Sequence, residues 1–129
     1  MGFAGIATTL VPLAKAMWAA LKDAAIQRQG ARALAALLGV ASRAVRPPGE
    51  AVSALVAALH HHTADPAVTA PAVAALRQLC WLPDLARRAR QEDAEPALCA
   101  AMDAAPGCRA LCSDACEALL GTRRVQLVR

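Results

Sequence analysis

A chain of 129 residues offers one domain's worth of core, and here it must be built from alanine and leucine: 57% of residues are hydrophobic, only 2% are aromatic, and tyrosine is absent. Fourteen Lys and Arg against ten Asp and Glu leave a net charge of +4, scattered apart from Arg87, Arg88 and Arg90 and the pair Arg123 and Arg124, which is too mild to imply nucleic acid. No stretch of about 18 apolar residues runs free of charge or proline, which excludes a transmembrane helix, and the scarcity of β-formers points to an all-helical chain.

The opening 21 residues are largely apolar, with Lys15 the one charge before Lys22, and lack a basic segment in front, so they do not read as a secretory signal. Gly2 is followed by Ile6 where an N-myristoylation signal needs Ser or Thr. Met17 and Trp18 end the first helix, and Trp18, like Trp81, is expected to pack in the core or a seam between units, the alternative being an exposed anchor for a partner. Pro47, Pro48 and Gly49 then break the chain, and Glu50 opens a helix to about His61 with Val52, Leu55, Val56 and Leu59 on one face. His60, His61 and His62 close it; consecutive helical residues point about 100° apart, so they suit a helix C-terminus better than a metal.

Asp65 and Pro66 form a helix start, since the carboxylate can cap free N–H groups and proline is tolerated at the first position. The spacing predicts a helix to about Trp81 with Val68, Val73, Leu76, Leu79 and Cys80 inward and Pro71 bending its first turns. Pro83 and Asp84 begin a short helix from Leu85 to about Glu92, and Pro96 opens the next long one. Glu92, Asp93 and Glu95 read as solvated loop charge, and Trp81 as a seal between units.

Apolar residues recur at a period of about 42 to 43 residues: Leu13, Leu55 and Leu98; Met17, Leu59 and Met102; Ile26, Val68 and Leu111; Leu34, Leu76 and Leu119. A period in the forties with helical spacing inside it marks stacked helical repeats, each too small to bury its own apolar face.

The order short, medium, long, with the pentad Ala75-Leu76-Arg77-Gln78-Leu79 and its counterparts Ala33-Leu34-Ala35-Ala36-Leu37 and Ala118-Leu119-Leu120-Gly121-Thr122, resembles armadillo repeats. HEAT repeats share much of the leucine pattern, and the short helix at 84–92 favours armadillo. The resemblance spans nearly the whole chain as one repeat domain, with units of roughly 5–38, 39–81 and 82–122, the first without its short helix, and 123–129 as the truncated start of another. It implies a right-handed α-solenoid whose long helices line a concave groove for extended peptides or other proteins, with no cofactor, no chemistry of its own and no small-molecule substrate.

In peptide-binding armadillo proteins an asparagine of the long helix holds the ligand backbone and a tryptophan one turn earlier packs on its side chains. Here those positions are Ala36, Gln78 and Gly121, and Arg32, Ala74 and Glu117, in a chain with no asparagine. This departure argues against nuclear-signal binding; only Gln78 offers a paired donor and acceptor. The groove surface is then Arg28 and Arg32 at one end, Gln78 in the middle, and Asp114 and Glu117 at the other, either reading a protein or peptide partner by charge or simply solvated.

Cys108, Cys112 and Cys116 share a helical face, and with Cys80 or Cys99 they raise the alternative of a small bundle with a thiolate metal or redox site. The spacing lacks the usual zinc knuckles, and Cys99 and Cys116 fall in the columns of Val56 and Val73, so the cysteines read as small buried hydrophobes. An odd count of five fits a reducing compartment, cytoplasm or nucleus. A basic nucleic-acid adaptor built on the arginine clusters is a further alternative, whose mark would be steep salt dependence. No phosphate loop, nucleophile triad or metal-hydrolase pattern occurs. The terminal units show no clear polar cap: Phe3, Ile6, Leu10 and Val11 open the chain and Val125, Leu127 and Val128 close it, which predicts a piece of a longer array or a chain that pairs end to end.

Overall fold

In a computed structural model, residues 3–41 and 47–127 are described, without the side chains of residues 3–9, 40–41 and 126–127. Among them are seven helices and no strand: α1 (Phe3–Ala19), α2 (Ala24–Ala41), α3 (Gly49–His61), α4 (Pro66–Leu79), α5 (Pro83–Gln91), α6 (Ala94–Ala104) and α7 (Arg109–Leu127). No helix among these residues is long and apolar enough to cross a membrane. The connecting segment at Arg43, the side chains of Phe3 and Ile6, and Val128 lie outside the described residues.

Punctuation sets most boundaries. Asp65 caps α4 by accepting from the Ala67 N–H at 3.1 Å, with Pro66 at the first helical position. Asp23 does the same for α2, accepting from Ala25 and Ile26. Four boundaries differ from the sequence reading. Helix α4 ends at Leu79, not Trp81, and runs through Pro71. Pro96 lies in the first turn of α6, which begins at Ala94 and is the medium helix; a turn at Pro106 and Gly107 separates it from the long α7. Asp93 holds that start in the left-handed region, φ 62°, a conformation Asp tolerates better than most residues. Residues 123–127 do not begin a further helix but prolong α7.

Helix α7 continues past Gly121 because that glycine is a contact point, not a stop. A Cβ there would lie 2.6 Å from the Cys80 carbonyl oxygen, so α7 can cross the end of α4 only with hydrogen at this position. Gly30 plays the equivalent part in α2, where a Cβ would collide with the Met17 side chain of α1.

The helices form two layers. Helices α1, α3 and α6 pack in succession in one, α2, α4 and α7 in the other, with α5 resting on α3 and α7. Between the layers lies one alanine- and leucine-rich core. Leu55, Leu59, Val68 and Leu76 in the middle pair are fully buried, whereas their counterparts Leu13 and Ile26 in the first pair and Met102 and Leu119 in the last are more open. Burial of a leucine or valine side chain contributes on the order of 1.5–3 kcal/mol, so the middle pair anchors the stack.

Polar side chains fasten each group to the next. Fully buried Gln27 of α2 donates from Nε2 to the carbonyls of Met17 and Ala20, both at 2.8 Å, satisfying the C-terminal end of α1. His62, the C-cap of α3, donates from Nε2 to the Leu21 carbonyl at 2.7 Å, linking the second group to the turn of the first. Thr63 Oγ1 donates to the Leu59 carbonyl at 2.8 Å. The histidine run is therefore a helix end, as its charge preference suggests, with His62 additionally an inter-group tie.

Candidate functional site

The strip read from the sequence along α2, α4 and α7 is brought onto adjacent helices, but its members do different things. Arg28 and Arg32 sit one turn apart on α2; Arg28 is half-buried, Arg32 is exposed, and neither makes an ion pair among the described residues. Gln78 on α4 donates from Nε2 to the Ala35 carbonyl of α2 at 3.2 Å, with Oε1 turned toward Gly39. Its amide therefore stitches two long helices together.

Asp114 and Glu117 are held as well. Arg77 of α4 places Nε 3.1 Å from Asp114 Oδ1, an ion pair not aligned as a hydrogen bond, and donates from Nη1 to Glu117 Oε2 at 3.3 Å. The three side chains are 26–53% exposed, so the cluster is worth on the order of 0.2–1 kcal/mol per pair and acts mainly to set the register of α4 against α7. Arg77 was missed in the sequence because its partners lie some 40 residues downstream, and no local spacing announces them. The strip thus divides into two cations on α2 without an ion pair among the described residues and a cluster between α4 and α7 in which two carboxylates share one arginine.

The charge near α5 is also ordered, contrary to its reading as solvated loop. Ser53 of α3 donates to Glu92 Oε2 at 2.7 Å; Arg88 donates to the same oxygen at 3.1 Å and to Ser53 Oγ at 3.0 Å. Arg90 binds Glu95 at 3.0 Å, and Arg123 of α7 approaches Glu95 at 3.7 Å. Arg87 pairs with Asp84 within α5. These bonds tie α5 and the residue after it to α3 and to α6, and Glu95 of α6 in turn to α7.

Both tryptophans are exposed, Trp18 by 53% and Trp81 by 54%, so neither fills a core. Arg124 of α7 lies over the Trp81 ring at 5.6 Å, a cation–π contact across the α4–α7 seam. The cysteines divide too. Cys80 is buried, and desolvation pushes its thiol up from 9.0 to about 12, which keeps it protonated and unreactive at neutral pH. Cys99 and Cys116 are exposed, where small buried hydrophobes were expected, because no helices cover the face they occupy on α6 and α7. Half-buried Cys112 directs its thiol to the Ala105 carbonyl at 3.7 Å. No group of three His, Cys, Asp or Glu among the described residues could hold a metal ion.

A shallow apolar groove opens between α1 and α2, lined by Leu13, Ala16, Met17, Ala25, Ile26, Gln29, Gly30 and Ala33. Nothing in the sequence distinguished Leu13, Ala16, Ile26 and Ala33 from their buried counterparts later in the chain. No protein-family model, curated protein or solved structure matches this chain significantly.

Proposed function

We propose that the chain is a protein-interaction scaffold without chemistry of its own, an armadillo-like right-handed solenoid of three helix groups that takes an extended, acidic protein segment along its long helices. The observation that carries this reading is the pair Arg28 and Arg32, cations one turn apart on α2 with no counter-ion among the described residues, beside the polar seam at Gln78. Two layers of helices, medium with medium and long with long, support the repeat reading, as do the matching pentads in α2, α4 and α7.

The functional surface in this reading is narrower than the whole strip. Asp114 and Glu117 share Arg77 and keep a net negative charge that disfavours an acidic segment, and Gln78 is tied to Ala35, so recognition centres on α2. The α2 backbone that carries Arg28 and Arg32 is already ordered, so binding orders only these two side chains and the partner.

Fluorescence anisotropy with labelled acidic, basic and neutral extended peptides tests the proposal. The acidic set should bind, with affinity that falls as salt rises, and Arg32→Glu should weaken it by about tenfold or more while circular dichroism is unchanged. Lys15→Glu, an exposed cation on α1, should leave binding intact. Equal loss in both variants, or no preference for acidic peptides, would remove the α2 surface from consideration.

A further inference from the structure

We infer that copies of this chain associate head to tail, the α6/α7 face of one copy covering the α1/α2 groove of the next. The inference rests on how the helix groups cover one another, and its interface takes in Arg32, so association and the peptide binding proposed above compete for that side chain.

The groove is a surface that the molecule buries twice and leaves open once. Its residues Leu13, Ala16, Ile26 and Ala33 are half-buried or exposed. Their counterparts in the middle group, Leu55, Ala58, Val68 and Ala75, are all at 0% exposure, and in the last group Leu98, Ala101, Leu111 and Ala118 are at 1% or less. Gln29 fixes the direction. It lines the groove, and its counterpart Asp114 faces Arg77 of the preceding helix group, so this surface is the one each group turns toward its predecessor. In the first group, no helix among the described residues covers it.

The matching cover is displayed at the opposite end. Ala14 and Val56 are 1% and 2% exposed beneath the following group, but their counterpart Cys99 is exposed. Ala31 and Val73 are at 0%, and their counterpart Cys116 is exposed. Leu120, at 63%, occupies the position of Arg77, the residue that reaches the next group at Asp114. Two cysteines and a leucine make an apolar centre, and cysteine behaves there as a small hydrophobe. The Glu95 pairs with Arg90 and Arg123 stand at the positions of buried Leu10 and Val52 and of Leu38 and Cys80, forming a polar rim.

One chain therefore displays both halves of the contact it makes twice internally. The two halves differ, so the contact is heterologous and propagates instead of closing as a symmetric dimer. Leu120 of one copy would lie against Gln29 and Arg32 of the next, as Arg77 lies against Asp114 and Glu117 within the chain.

Sedimentation velocity of the full chain under reducing conditions tests this. The weight-average mass should climb with concentration from 13.3 kDa through and beyond the dimer. Ile26→Glu, which spoils the groove, and Leu120→Glu, which spoils the cover, should each stay monomeric alone. An equimolar mixture of the two retains one intact groove and one intact cover, and should form a complex of twice the monomer mass and nothing larger. If either glutamate variant loses helicity, Ile26→Ser and Leu120→Ser replace it. Wild-type chain that remains monomeric up to about 1 mM would overturn the inference. So would a mixture that stays monomeric, or a Leu120 variant that associates as wild type does.

Discussion

The helix pair α3/α4 and the pair α1/α2 are built on the same apolar columns, yet one is the most buried part of the molecule and the other carries an open groove. Val68 is fully buried while Ile26, its counterpart, is 39% exposed, although isoleucine is the larger hydrophobe. Side-chain type does not explain the difference. Position does: α3 and α4 have helices packed on both sides, α1 and α2 against one and α6 and α7 against the other, and those neighbours supply the burial. Stability should therefore be concentrated in the middle and fade toward both ends.

The largest expected effect lies at the centre. Leu76→Asp should lower stability by more than about 3 kcal/mol, combining loss of a fully buried apolar side chain with an unpaired buried charge. Ile26→Asp should cost less than about 1 kcal/mol, since the residue is exposed already. Thermal and urea melts followed by circular dichroism measure both. Equal costs would break the distinction between the two pairs.

Next comes the crossing of α7 over α4. Gly121→Val should cost about 1–3 kcal/mol, because the added side chain has to displace the Cys80 backbone, whereas Gly107→Ala, with open space around it, should be close to neutral. A stabilised Gly121→Val would mean that α7 does not cross α4 there.

Alkaline pH probes the same seam. The Cys80 thiol titrates near 9.0 when unfolded and is raised to about 12 by burial, so the folded state holds its proton longer. Stability from this group is fully present below pH 9 and is lost as pH rises toward 12, at no more than about 1.4 kcal/mol per pH unit. Urea melts at pH 8 and pH 10 should differ more for wild type than for Cys80→Val. An identical pH response in the two proteins would place Cys80 in contact with water.

The smallest effect concerns the surface ties. Arg77→Ala removes two partly exposed ion pairs and should lower stability by less than about 1 kcal/mol, a loss that shrinks in high salt. It should also free Asp114 and Glu117. In the peptide experiment, that change should weaken acidic ligands slightly, a comparison that separates the α2 cations from the α4–α7 cluster.

Helix identity, most helix starts and the buried columns were legible because they depend on local chemistry. Asp65 and Pro66 make a helix start wherever they occur, and Leu34, Leu76 and Leu119 recur at a spacing of 42 to 43 residues that points to a repeated helical unit. Helix ends were harder. Gly121 looks like a stop signal, and it is read through because the space beside it is filled by the Cys80 backbone.

What each polar residue does was settled by partners distant in sequence. Gln78 has the composition of a peptide-binding side chain and is instead a tie to Ala35 across 43 residues; Asp114 and Glu117 look free until Arg77 is packed against them. Cys80 and Cys116 carry the same side chain, but only one has helices above it. Local propensity and periodicity determined that this chain would be a stack of amphipathic helices. Which columns are covered, which charges are paired and which apolar surface is left open were decided only when the helices met, because burial and pairing belong to pairs of elements and not to any single one.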